Sequence, residues 1–306
     1  MPWSVIASIA AALSAHQAIA SNPYHVSIKE KAIPMYIPRG ISMKNLFSPE
    51  VPILLIGAPG VGKTAQVQSH FDHAEVVLTS TLVEEDISGL PYREGDYDYR
   101  TVPSIFRRLS EAESAGKTTA LFLDELDKAR RSVADTLLTL VASRRVGNAS
   151  LPQSTCIIAA ANPPEFGGGD GISEAMLSRF AAIDYAPDVK EWSNWANARF
   201  SSEKSKRVIS SVRNGELTIF DMVGDGLNKR ITSPRTLAMT LMALERNTFN
   251  EMQFDAIIRG LLTPASASHI LHIVTNTENE VLGESVSIAR SSLALGRVRS
   301  YPVLRL

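Results

Sequence analysis

The sequence predicts an α/β fold: a three-layer domain built on a parallel sheet, followed by a smaller, mostly helical domain. Three observations predict it. Five short apolar runs alternate with helical patterns in the first part of the chain. The first run leads straight into a complete Gly-rich phosphate-binding motif. Past Pro187, strand-like runs become scarce and helical periodicity takes over.

The elements follow in order. Near the N-terminus Ile6, Ile9 and Leu13 fall on one helical face, with Ser4, Ser8 and Ser14 elsewhere. The stretch Ala18-Ile19-Ala20-Ser21 resembles a signal-peptidase site, but no Lys or Arg precedes the apolar run. The segment 1–45 is therefore expected to be a docking helix and an extended lead-in. The five apolar runs are Ile53–Ile56, Glu75–Leu78, Ala120–Leu123, Cys156–Ala161 and Ala181–Tyr185. Most are continuous, as strands buried on both faces of a parallel sheet should be. Between them, Pro103 can open a helix that turns Ile105, Phe106 and Leu109 inward. Val133, Leu137, Leu138 and Val141 mark a second apolar helical face. Such alternation gives right-handed crossovers over a three-layer domain, expected over 46–186. In the remainder, 187–306, Trp192, Trp195 and Phe200 read as aromatics packed into a helical core. Ser233 and Pro234 make a helix start, N-cap and first position, and Leu237, Leu241 and Leu244 supply its buried stripe. The end carries Arg290, Arg297, Arg299 and Arg305 with no acidic residue, a solvated or partner-docking tail.

Composition narrows the classes. Hydrophobic content of 44% and charged content of 21% exclude a disordered chain, a collagen-like chain and a disulfide scaffold. Lys plus Arg number 31 and Asp plus Glu 32, so the net charge of -1 leaves nucleic-acid binding to a local patch. The single cysteine, Cys156, forms no intrachain disulfide and no Cys-rich zinc site, which points to a reducing compartment, the cytoplasm. No run of 18 apolar residues marks a membrane span.

The chemistry is carried by Gly57-Ala58-Pro59-Gly60-Val61-Gly62-Lys63-Thr64, a full G-x-x-x-x-G-K-[ST] motif. Glycines let the backbone wrap tightly, so that its N–H groups point at phosphate oxygens beside a helix N-terminus. These eight residues and Ala65 are the expected ATP-binding set. Lys63 would neutralise the β- and γ-phosphates, and Thr64 would offer its hydroxyl to Mg²⁺. The run Ala120-Leu121-Phe122-Leu123 ends in Asp124 and Glu125, at the sheet edge where open α/β folds bind ligands. Asp124 would hold the metal shell and Glu125 would polarise the attacking water. Asn162 follows the fourth apolar run and could orient that water or touch the γ-phosphate. Arg179 precedes the last run, and Arg235 lies in the first turn of the helix opened by Ser233 and Pro234.

Together these residues resemble an AAA+ ATPase, and more narrowly the MoxR-like branch. The resemblance runs from about Leu46 to about Glu245. It rests on the P-loop, Asp86-Ile87-Ser88-Gly89-Leu90-Pro91, Phe122-Leu123-Asp124-Glu125, Ala159-Ala160-Ala161-Asn162-Pro163-Pro164, Leu177-Ser178-Arg179-Phe180 and Ser233-Pro234-Arg235. It implies that Asn162 is sensor 1, that Arg179 is the arginine finger reaching the ATP of a neighbouring subunit, and that Arg235 is sensor 2. It also implies a homo-oligomeric ring, usually a hexamer, that remodels a protein client, often with a partner carrying a von Willebrand factor A domain. The branch carries a pore-facing insert, here about 84–102, and a second hairpin, here about 144–152. Gly89, Pro91, Gly95, Asp96 and Asp98 are turn formers among Tyr92, Tyr97 and Tyr99, so the insert could grip a client or pack on its own domain. Arg144 to Asn148 could touch a neighbour or a client. Adenine contacts are expected near Val26 to Ile41. A nucleic-acid motor (clamp-loader-like, helicase-like or restriction-associated) is the alternative, and an ATP-gated assembly protein with little turnover is a third reading.

Overall fold

A run of apolar residues buries its side chains only if its amides and carbonyls find partners, and neighbouring strands supply them. In the computed structural model, which describes residues 45–166, 171–246 and 249–276, five such runs pair into one sheet. The chain begins with β1 (Ile53–Ile56), α1 (Lys63–His70), β2 (His73–Leu78) and the short α2 (Glu84–Ser88). A hairpin of β3 (Pro91–Glu94) and β4 (Tyr97–Arg100) follows, then α3 (Ser104–Ser114), β5 (Thr119–Asp124) and α4 (Arg131–Ser143). A smaller hairpin, β6 (Arg145–Val146) and β7 (Ala149–Ser150), leads to β8 (Cys156–Ala161), α5 (Glu174–Leu177) and β9 (Ala181–Asp184).

The sheet order is β2-β5-β8-β1-β9, with every pairing parallel. Alternate residues of the strands feed two separate cores. Leu54, Leu121, Leu123 and Ile157 pack with Phe106, Leu109 and Leu137 on one face. Ile53, Leu55, Phe122 and Ile158 pack with Val67 on the other. This is the expected three-layer α/β domain. Two expectations shift at the sheet edges. The second run begins at His73 and alternates, with Val76 38% and Leu78 41% exposed. It is an edge strand, paired only with β5, and its alternating burial shows that one of its faces meets solvent. Glu75 on it is fixed by Arg108 at 2.7 Å and by His73 at 2.8 Å. Pro103 sits just outside α3 as its N-cap, with Phe106 and Leu109 buried and Ile105 partly so.

Both expected inserts form hairpins. Arg100 clamps the base of β3–β4 by donating to Ser88 Oγ at 2.7 Å and to the Gly89 carbonyl at 2.9 Å. The turn of β6–β7 rests on it, with Asn148 Nδ2 donating to the Arg100 carbonyl at 2.9 Å. Arg144 departs from expectation. It ends α4 at φ 58° and turns its guanidinium onto the carbonyls of Pro49, Pro152 and Thr155, so it ties the second hairpin to its own domain. Burial lowers its pKa from the ordinary guanidinium value.

The helical part comprises α6 (Val189–Arg199), α7 (Glu203–Arg213), a hairpin of β10 (Asp221–Val223) and β11 (Arg230–Thr232), α8 (Pro234–Arg246), α9 (Glu251–Leu261) and α10 (264–276). Side-chain capping begins four of these five helices: Asp188 accepts from the Glu191 N–H, Ser202 from Ser205, Ser233 from Thr236 and Asn250 from Gln253. Leu237, Leu241 and Leu244 meet Trp192, Phe200, Val208 and Ile258 in a third core. Trp195 does not join it and is 38% exposed. Three residues turn a helix by roughly 300°, which leaves Trp195 at the margin of the stripe that carries Trp192. The expected docking helix, the adenine stretch 26–41 and the basic tail lie outside the described residues. No helix among the described residues is long and apolar enough to cross a membrane.

Candidate nucleotide-binding site

The site grows from the C-terminal end of the sheet. β1 ends at Ile56, and Gly57 N–H reaches across to the Ala161 carbonyl at 3.2 Å. The loop then needs a left-handed backbone twice, at Gly60 (φ 81°) and Gly62 (φ 105°), where a side chain would be strained. α1 starts at Lys63, so the first amides of that helix have no intrahelical acceptor and line a cleft of about 510 Å³.

Lys63 is buried. Its ammonium donates to the carbonyls of Gly57 and Ala58 and to Asn162 Oδ1, the last at 3.1 Å. Burial pushes its pKa down to about 8 against the pull of Asp124 and Asp127. A polyphosphate here would favour the charged form. Thr64 Oγ1 donates to Asp124 Oδ2 at 2.7 Å, so the two expected metal-holding oxygens already share one spot. Mg²⁺ characteristically takes only one or two protein oxygens together with phosphates and water, and this donor pair fits it.

Glu125 follows in a left-handed conformation, φ 56°, which is strained for a non-glycine residue. Thr79, fully buried, holds that turn by donating to the carbonyls of both Asp124 and Glu125. The Glu125 carboxylate accepts from Lys128 Nζ and Ser80 Oγ, each at 2.9 Å. The Lys128 bond holds its pKa below the usual carboxylate value. Asn162, just past β8, donates its N–H to Asp127 Oδ1 at 3.2 Å.

The helical region closes the other wall. Arg235 N–H donates to the Gly60 carbonyl at 3.1 Å, and a side chain at Gly60 would strike Ser233 Oγ. Trp192 Nε1 bonds the Pro234 carbonyl at 3.3 Å. The structure thus brings Lys63, Thr64, Asp124, Glu125, Asn162 and Arg235 to one cleft, with Pro59 to Ala65 along it. Arg179 is not among them. It is exposed after α5, bonded to the Ala175 carbonyl and to Ser178 Oγ.

Sequence reasoning missed several cleft residues. Tyr185, Trp195 and Phe166 line it beyond the phosphate loop. Burial pushes the Tyr185 hydroxyl up to about 12. Trp195 carries Arg199 over its ring at 5.2 Å and meets Phe200 edge-on at 6.0 Å. Tyr185 stands directly beyond the last strand, a position that signals the ligand-binding edge. Nothing in helical spacing marks Trp195 out.

Residues 52–180 match the family model of the AAA domain (dynein-related subfamily). No curated protein sequence matches the chain. Among solved structures, a mutant RuvB from Thermotoga maritima is similar at 14% identity and TM-score 0.36, covering 68% of this chain and 60% of that one. Another RuvB mutant from the same organism gives 15% identity and TM-score 0.38, with 71% and 64% covered. A closed-state Hsp104 reconstruction with ATPγS and FITC casein gives 17% and 0.37, with 52% and 34% covered. This chain therefore spans about 60% of the length of the first RuvB structure it matches. The matched stretch carries the P-loop, Asp124, Glu125, Asn162 and Arg179, and it covers under half of the chain.

Proposed function

We propose that this chain is a MoxR-like AAA+ ATPase that hydrolyses ATP with Mg²⁺ in a homo-oligomeric ring and acts as the motor for a protein client, with a von Willebrand A domain partner. The observation that carries this reading is the convergence of Lys63, Thr64, Asp124, Glu125, Asn162 and Arg235 on one cleft. We read 46–186 as the nucleotide-binding domain, 187–306 as its lid, and a hexamer in the cytoplasm as the working form.

Phosphoryl transfer needs positioning and charge neutralisation above all. Lys63 and the free amides of α1 bind the phosphates, and Arg235 brings positive charge from the lid. Thr64 and Asp124 would hold Mg²⁺, which when bound supplies charge neutralisation. Glu125 accepts the proton of the attacking water once its carboxylate leaves Lys128 and Ser80, and Asn162 orients that water. Arg179, exposed and outside its own cleft, serves the neighbouring subunit's site. The half-exposed ring of Trp195 gives the adenine a stacking surface.

The test is Glu125→Gln. It should keep ATP affinity while turnover falls by about 10²–10⁴. Wild-type turnover in that variant would sink the general-base role. The same variant held in ATP should retain ring, partner and client in a pull-down. Stimulation of the wild-type ATPase by DNA or RNA, with none by protein, would replace the client reading with a nucleic-acid motor. Arg179→Ala should be inactive alone and rescued in mixed rings with Lys63→Ala; absence of rescue removes its action in trans.

A further inference from the structure

We propose that Asp127 is a positioning residue for hydrolysis, fixing Asn162 so that its side chain stays on Lys63 in the cleft. The proposal rests on the ATPase reading above. Asp127 lies in the single turn Leu126–Lys128 that follows the strand-end carboxylates, and it is only 6% exposed. Its Oδ1 accepts the Asn162 backbone N–H at 3.2 Å. Its Oδ2 is buried without a hydrogen-bond partner among the described residues.

The topology explains why Asn162 needs such a holder. β8 ends at Ala161, whose carbonyl goes to Gly57, so Asn162 stands beyond the last rung of the ladder. Its N–H turns to Asp127, and its Oδ1 accepts from Lys63 Nζ at 3.1 Å. One residue thus links a carboxylate below the sheet edge to the ammonium that faces the phosphates. If the N–H were released, the backbone would rotate and the side-chain oxygen would leave Lys63. A buried carboxylate with a single neutral hydrogen-bond donor carries a desolvation penalty, offset in part here by attraction to the Lys63 charge. The same turn also sets Lys128, which holds Glu125 at 2.9 Å. Asp127 therefore acts on the reacting groups through Asn162, without touching the nucleotide.

The experiment is a double-mutant cycle with a spectroscopic arm. Asp127→Ala should lower kcat about tenfold or more while ATP affinity stays within about threefold. In an Asn162→Ala background the same substitution should lower kcat no further, because the two act as one unit. Asp127→Asn, which keeps an acceptor of the same shape, should recover most of kcat. An equal, additive loss in both backgrounds would overturn the proposal. Independently, protein labelled with ¹⁵N-asparagine should show the Asn162 amide proton moving upfield in Asp127→Ala. An unmoved amide would also overturn it. Were the wild type to hydrolyse no ATP under any condition while the amide moved as expected, the catalytic assignment would fall and the backbone contact would stand.

Discussion

The nucleotide cleft and the β3–β4 hairpin are extremes of internal bonding. In the cleft Lys63, Thr64, Asp124 and Glu125 each hold a protein partner. On the hairpin Tyr92, Tyr97 and Tyr99 are 45%, 70% and 39% exposed, and they meet mainly one another, Tyr92 stacking on Tyr99 at 5.6 Å. The difference teaches where each kind of specificity resides. A cleft whose polar groups are already oriented needs little reorganisation to take a charged ligand. A hairpin clamped at its base by Arg100 and bare along its strands leaves its tyrosines uncovered by its own domain.

The largest expected effect removes the cleft's central charge. Lys63→Ala should weaken ATP binding by about 100-fold and abolish turnover, as loss of a charged hydrogen bond implies. Calorimetry returning affinity within threefold of wild type would move the phosphate site elsewhere. Next comes the base wall: Trp195→Ala should weaken ATP by roughly 5–150-fold, the range of stacking energies, and leave inorganic tripolyphosphate binding unchanged. Equal losses for both ligands would show that Trp195 shapes the phosphate end instead.

A smaller effect tests a polar cluster that stabilises without binding. Glu75 has its pKa lowered from the ordinary 4.5, chiefly by its bond to Arg108. Its stabilisation is therefore full above 4.5 and is lost as the pH falls through the lowered value. Because Arg108 is half-exposed, solvent screening keeps the effect near about 1 kcal/mol. Glu75→Gln should unfold more easily than wild type at pH 7, and the two urea curves should converge in acid. A gap that persists in acid would assign the loss to packing. Smallest is Tyr97→Ala, expected to change stability by less than about 0.5 kcal/mol and ATP affinity not at all. A clear drop in Tm would mean that the tyrosines hold the hairpin together and are not a free surface.

How much was legible depended on whether a residue's role is local. The P-loop was legible because its glycines, lysine and threonine act within a few residues of one strand and one helix. The buried strands were legible because burial of both faces demands continuous apolar runs, as in β5 and β8. The second run misled because an edge strand obeys a different rule, and only the strand order reveals which strand is at the edge. Arg144 misled for a related reason: an arginine in a turn reads as surface until carbonyls from Pro49, Pro152 and Thr155 close around it. Asp127 carried no signal, since its partner Asn162 is 35 residues away.

By itself the sequence determined what a short stretch of chain can encode: a phosphate-loop motif, a candidate metal-holding carboxylate, a candidate base, and a helix capped by Ser233. The tertiary structure decided which of those groups meet. It set Arg235 on the Gly60 carbonyl, put Trp195 in the cleft wall instead of the core, and kept Arg179 out of its own chain's site. The physical reason is that backbone propensity and phosphate-loop geometry act over a few residues, whereas sheet order and lid packing fix contacts between segments that no spacing rule connects.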